Sequence, residues 1–170
     1  LRIYSVPDAY IVPAPPSATD PDSSIIISPQ FSRIENYSEG LIRVLGEKSG
    51  FMDAKGQWAI LLQSSQFPST NFSEGLAAVN VRGAIGYIDK LGEIVIPPQF
   101  VDAAPFQSGL ASVAVKASGI RDKTYSYINR IGEFIIEPHF VRADSFEDGI
   151  ARVHRYTDSN FEYGFFYDTG

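Results

Sequence analysis

Cysteine is absent from this chain of 170 residues, and methionine, tryptophan and histidine are nearly so, at one, one and two. Without thiols there is no disulfide framework, no thiolate nucleophile and no zinc–thiolate site, and the redox compartment stays open. Basic residues are short as well: 14 Lys and Arg stand against 20 Asp and Glu, a net charge of −6. That balance speaks against a nucleic-acid backbone or an anionic membrane as partner and leaves other proteins or neutral ligands. No run approaches the roughly 18 apolar residues that a membrane-spanning helix needs, so direct membrane insertion is not expected. No stretch has the charged, apolar, small-residue order of a signal peptide, although a start at Leu1 rather than Met leaves room for an upstream signal or domain.

What is present is ordinary globular composition, 44% hydrophobic and 20% charged, arranged as a repeat. The template runs Gly86-Tyr87-Ile88-Asp89-Lys90-Leu91-Gly92-Glu93-Ile94-Val95-Ile96-Pro97-Pro98-Gln99-Phe100, then Phe106 and Gly109-Leu110-Ala111-Ser112-Val113. It recurs from Ser126 to Phe140 with Phe146 and Gly149 to Val153, and in worn form from Gly50 to Ile60 with Phe67, Phe72 and Gly75 to Val79. Repetition at this period dictates an array of small supersecondary units. The array begins in mid-repeat, because Ile25-Ile26-Ile27-Ser28-Pro29-Gln30-Phe31 matches Ile94 to Phe100, and it ends in mid-repeat, because Gly164 to Gly170 matches Gly86 to Gly92. Residues 1–24 stand apart. Pro7, Pro13, Pro15, Pro16 and Pro21 make them an extended arm; proline removes ladder donors and fixes φ. Such an arm serves as a linker or as a docking arm anchored by Tyr4 and Tyr10.

The expected fold is all-β: about four antiparallel three-stranded meanders, over residues 25–170. Their boundaries are a half-repeat 25–49, repeats 50–85, 86–125 and 126–163, and a half-repeat 164–170. Gly109 to Val115 reads as a first strand, Gly86 to Asp89 as a second and Glu93 to Ile96 as a third, rich in β-branched residues. Asp53-Ala54-Lys55-Gly56, Asp89-Lys90-Leu91-Gly92 and Asn129-Arg130-Ile131-Gly132 join second to third strands, with Asp or Asn and then Gly placed as a tight hairpin requires. The aromatics after the third strand, Phe31, Phe67, Phe100 and Phe140, and those three residues before a glycine, Tyr37, Phe72, Phe106 and Phe146, read as core plugs. Twelve strands fill four units if Ile25 to Ile27 pairs with Gly164 to Tyr167 and closes the array; the alternative is an open array capped by neighbours.

These motifs resemble the WG-repeat family, bacterial arrays with the pattern Gly-Tyr-Ile-Asp-x-x-Gly-x-x-Val-Ile-x-Pro-x-Phe followed by Phe-x-x-Gly-Leu-Ala-x-Val. The likeness covers about residues 25–170 and is close over 86–115. In place of the Trp-Gly pair that names the family stand Ser49-Gly50, Ile85-Gly86, Tyr125-Ser126 and Tyr163-Gly164, with Trp58 elsewhere. The resemblance implies a β-repeat binding or scaffold module with no catalytic residues and no cofactor. It also implies a bacterial protein, cytoplasmic or associated with the envelope.

Repeat length varies mainly in the connection between first and second strands, longest at Lys116 to Tyr125 and His154 to Tyr163. Length variation confined to one connection marks a binding face. The candidate partner-binding residues there are Arg121, Lys123, Arg155, Tyr156 and Phe161, with Lys116 and Tyr163 beside them, a basic and aromatic set typical of interface anchors. Catalysis is not expected. His139 and His154 occupy different repeat positions, no His pair has metal spacing, no Gly-x-Ser-x-Gly elbow or phosphate loop occurs, and Asp53, Asp89, Glu93 and Glu133 sit in or beside turns. No metal, cofactor or small-molecule ligand is therefore expected. The leading function is a non-catalytic protein–protein interaction, scaffold or linker module in a larger assembly. The alternative is a carbohydrate or envelope-polymer binder using Trp58, Tyr125 and Phe161, for which exposed aromatics aligned on one face would speak.

Overall fold

The computed structural model describes residues 31–117, 123–156 and 160–167, with the side chain of Asn36 excepted. Four small antiparallel sheets follow one another along the chain. The first contains β1 (Phe31–Ser38), β2 (Leu41–Gly46), β3 (Gly50–Asp53) and β4 (Trp58–Leu61), in that order across the sheet. The second repeats it with β5 (Gln66–Pro68), β6 (Ala77–Val81), β7 (Ala84–Ile88) and β8 (Ile94–Phe100). The third has β9 (Asp102–Ala103), β10 (Ala111–Lys116) and β11 (Lys123–Ile128), and the fourth β12 (Arg142–Ala143), β13 (Ile150–Tyr156) and β14 (Phe161–Tyr167). The all-β repeat array is as expected, with one addition per unit. The segment that leads into each first expected strand forms a further strand on its outer side, eight residues long in β1 and two or three in β5, β9 and β12.

The hairpins follow the expected chemistry. Asp53, Asp89 and Asn129 each accept, through Oδ1, the N–H groups two and four residues on: Lys55 and Gln57, Leu91 and Glu93, Ile131 and Glu133. Gly56, Gly92 and Gly132 then take φ of 73°, 83° and 88°, the left-handed conformation that glycine adopts without cost.

Two aromatics depart from their expected place. Phe67 is 47% exposed and Tyr37 is 61% exposed, whereas Phe72, Phe100, Phe106, Phe140 and Phe146 are buried. Phe67 lies five residues before its plug ring, not six as in Phe31, Phe100 and Phe140, and in a strand one residue of offset turns a side chain to the other face. Among the described residues no sheet precedes Tyr37 for it to pack against. Phe72 meets Phe51 at 4.6 Å, Phe106 meets Tyr87 at 4.9 Å and Phe146 meets Tyr127 at 5.0 Å, so each ring inserts against the second strand of the preceding sheet.

The third copy departs too. Where the others have Gly50 and Gly86 it has Ser126, and a Cβ on Gly50 would fall 2.1 Å from the Ile60 carbonyl oxygen, one on Gly86 2.4 Å from that of Ile96. The third strand passes directly over this position. A serine there holds the next segment off: its hydroxyl donates to the Ile136 carbonyl, and only isolated bridges, Ile128 to Phe134 and Tyr125 to Phe140, remain of the ladder. Ile135 and Ile136 therefore form no regular strand.

The core is continuous between sheets. Leu76, Ala78, Ile85, Tyr87, Ile96 and Phe100 of the second sheet pack with Phe106, Ala111, Val113 and Ile128 of the third. Tyr127 and Phe140 pack likewise with Ala143, Phe146, Ala151 and Val153, and Phe51 and Ile60 with Phe72, Ala77, Val79 and Ile88. Each of the first three sheets thus has a rear face that the next sheet covers. The proposed pairing of Ile25 to Ile27 with β14 lies outside the described residues on its N-terminal side. Among the described residues β14 pairs with β13 alone.

Candidate functional site

The rear face of the fourth sheet is where the pattern changes. Strict alternation along β14 puts Phe161, Tyr163, Phe165 and Tyr167 on one side, and these rings are 39%, 70%, 65% and 58% exposed. Opposite them on β13 stand Tyr156, His154, Arg152 and Ile150, paired with Phe161, Tyr163, Phe165 and Tyr167 in turn. In the preceding sheets the positions of Arg152, His154 and Phe165 are closed off, at Ala78, Ser112, Ala114, Tyr87 and Tyr127, all buried, whereas those of Phe161 and Tyr167, at Lys123, Asp89 and Asn129, are partly exposed there too. A surface of apolar rings at these positions is thus an inter-sheet face with nothing described over it.

The rings hold one another edge to face. Phe161 and Tyr163 lie 5.1 Å apart at 87°, Tyr156 and Phe161 5.1 Å apart at 67°, and His154 packs 4.5 Å from Tyr163 and 5.4 Å from Phe161. Such pairs add about 0.5–1.5 kcal/mol beyond their buried area and fix the ring orientations. His154 Nε2 is buried beneath them without a hydrogen-bond partner. His139, by contrast, is tied through Nδ1 to the Glu137 carbonyl at 2.6 Å.

Of the residues singled out from sequence, Tyr156 and Phe161 belong to this face. Arg155 does not: alternation turns it to the other side of β13, where Nε and Nη2 each approach Glu162 at 3.0 Å. Lys123 belongs to the third sheet, where Nζ meets Asp102 Oδ2 at 2.7 Å and lies 5.0 Å from the centre of the Tyr125 ring. Arg121, Tyr4 and Tyr10 lie outside the described residues. The basic part of the expected set is thus locally paired where it is described. Tyr163, noted beside that set, belongs to the face as well; Phe165 and Tyr167 were missed, and their signal was in plain view: every second residue from Phe161 to Tyr167 is aromatic.

A second feature lies between the third and fourth sheets, a cleft of about 300 Å³ lined by Asp102, Ser112, Tyr125, Arg142, Asp144 and Ser145 among others. Its charges are spent on one another. Burial works to raise the Asp102 carboxyl, but hydrogen bonds from Lys123 and Tyr125 and the Lys123 charge outweigh it and hold the group below the usual carboxylate range. Asp144 behaves alike: burial raises it, while Arg152 and Arg142 at 2.7–2.9 Å bring it down further. Tyr127, whose hydroxyl donates to the Asp144 carbonyl at 2.8 Å, is pushed above its ordinary range by burial and then by the Asp144 charge. Among the described residues no group of three His, Cys, Asp or Glu could hold a metal ion.

The sheets also carry a repeated clamp. Glu39 and Glu74, each at positive φ before a turn glycine, accept through a carboxylate oxygen the N–H of the next unit's turn glycine, Gly75 or Gly109, at 3.0 Å. The hairpin base of that next unit, Lys90 or Arg130, then donates to the Glu39 or Glu74 carbonyl at 3.1 or 2.6 Å.

Fold, turns and clamps together define an all-β repeat protein in which the second and third sheets each cover the one before and carry the one after. The chain belongs to the WG containing repeat family, whose profile matches residues 20–45, 50–83, 85–116 and 125–153. Neither a curated protein nor a solved structure matches it.

Proposed function

We propose that the chain is a non-catalytic protein-interaction module, a scaffold or linker within a larger bacterial assembly, and that the rear face of the fourth sheet is its docking surface. The observation that carries this reading is the exposed row Phe161, Tyr163, Phe165 and Tyr167, in which Phe165 is 65% exposed where its equivalents Phe51, Tyr87 and Tyr127 are covered by the next sheet. Apolar patches of rigid aromatic rings are the usual anchors of protein interfaces. The non-catalytic reading is supported by the engagement of Asp102, Asp144 and Tyr127 with structural partners.

A row of aromatics on one face also favours a carbohydrate or envelope-polymer ligand. Sugar rings, however, stack on flat aromatic faces, and Phe161 and Tyr163 stand perpendicular at 87°. Tyr125 and Trp58, the other rings considered for sugar, lie on the third and first sheets, and Trp58 packs at 6.0 Å against Phe31. The protein reading is preferred.

Affinity capture from a native lysate with the chain and with a Tyr156→Ala, Phe161→Ala, Tyr163→Ala variant tests it. A protein retained by the former and lost from the latter is the expected result. Retention of both forms on insoluble polysaccharide, with no protein partner for either, would overturn it.

A further inference from the structure

The two ends of the array are complementary, and we propose that they bind each other between molecules: the rear face of the fourth sheet takes the first sheet of a second copy of this chain. The proposal rests on the interaction-module reading and names its partner. Within the chain the same joint is made three times, always by a plug ring entering against a second-strand ring: Phe72 on Phe51, Phe106 on Tyr87, Phe146 on Tyr127. Two residues at these repeat positions are left without the other half of the joint. Tyr37 has the position of the plug and is 61% exposed; Phe165 has the position of the second-strand ring and is 65% exposed. Because both are exposed in the same molecule, they do not cover each other within one chain, and the complement of each is found on another copy.

Three further halves of the internal joint lie beside them. Glu39 and Glu74 each accept the N–H of the following unit's turn glycine; Asp148 holds the equivalent turn position in the fourth unit, at φ 52°, and Gly40, at φ 91°, the equivalent glycine in the first. Gly164 is the third. At Gly50 and Gly86 the missing Cβ leaves room for a third strand crossing within 2.1–2.4 Å of where it would be, whereas at Gly164 the nearest atom is Val153 Cγ2 at 3.6 Å. The β14 edge therefore keeps the glycine a crossing strand requires, with no such strand among the described residues. Ile25-Ile26-Ile27 of the second copy, which repeats Ile94-Val95-Ile96, has the sequence to fill it, and an unpaired edge is a ready template for such addition. The interface is heterologous, so the assembly grows head to tail unless it closes into a ring.

Sedimentation of the intact chain over a wide concentration range tests this, with Tyr37→Asp and Phe165→Asp, both at exposed positions, as blocking variants and circular dichroism as the check on folding. The chain is expected to show a mass that rises with concentration beyond one copy. Each variant alone should stay monomeric, since it has lost one end, and an equimolar mixture should form a complex of two chains and nothing larger. A wild-type chain that remains monomeric throughout, or variants that fail to restore each other, overturns the proposal. The same variants in the lysate capture separate the two readings. Loss of a foreign partner from Phe165→Asp, with no self-association of the wild type, removes the head-to-tail joint but leaves the docking face standing; capture unaffected by Phe165→Asp removes both.

Discussion

At the scale of single residues, the glycine that follows each second-strand start decides whether a third strand can form. Gly86→Ala places a methyl 2.4 Å from the Ile96 oxygen and 2.7 Å from the Pro98 nitrogen, both backbone atoms that cannot step aside without opening the sheet. We expect urea denaturation to show a loss of about 2 kcal/mol or more, in the range of strained core substitutions. Gly164→Ala meets nothing closer than 3.6 Å and should change stability by no more than about 0.5 kcal/mol, while weakening the self-association proposed above. Tyr127→Phe removes the hydroxyl that satisfies the Asp144 carbonyl at 2.8 Å and is expected to cost about 1 kcal/mol by the same measurement. The serine at position 126 shows how far one atom reaches. It was visible in the sequence as a departure, but its consequence, a third strand reduced to two bridges, depends on how closely the neighbouring backbone passes, and no pattern of side chains records that distance.

At the scale of the element, the turns were the most legible part, because their geometry is set within four or five residues. The Asp or Asn that opens each hairpin and the glycine that closes it are read directly from spacing, and the Oδ1 bonds to two successive N–H groups follow. Asn129→Ala deletes both acceptor bonds, to Ile131 and Glu133, and thermal unfolding should register about 1 kcal/mol of lost stability, whereas Asn129→Asp, which keeps the acceptor, should restore it. Less legible were the short outer strands. β9 and β12 have two residues each, too few for any alternation to show, and they exist because the chain crossing from one sheet to the next runs alongside the strand it is about to join. Phe67 misled for a related reason: its type matched the repeat, but its offset from Phe72 did not, and the offset determines the face. On β14 the reverse happened. The aromatic alternation was plain, yet the loop before it drew attention to Arg155, which the same alternation turns away to Glu162.

At the scale of the whole molecule, stability is a chain of similar joints, so what perturbs one kind of joint perturbs several at once. Three carboxyls that hold strands or sheets together have been moved in the same direction. For Glu39 burial pulls upward, but the hydrogen bonds from Lys90 and Gly75 prevail and hold it below the usual range, as the Lys123, Arg142 and Arg152 contacts do for Asp102 and Asp144. A carboxyl with a folded pKa below its unfolded value binds protons more readily when unfolded. The stability it contributes is therefore complete above the unfolded value, about pH 4, and drains away as the pH falls through the lower folded value. Urea midpoints measured from pH 7 downward should accordingly hold steady to about pH 4.5 and then fall. Asp144→Asn should start lower and decline less below that point, because it has removed one of the groups being titrated. All three sites are partly exposed, so salt should diminish the difference between the two curves at neutral pH. Glu39 links the first sheet to the second through Gly75 and Lys90, which gives the acid limb a second readout. If the joints act as separate units, Glu39→Gln should broaden the urea transition as well as shift it, since the first sheet can then open ahead of the rest. An unchanged slope with a lowered midpoint would instead show that the four sheets unfold as one.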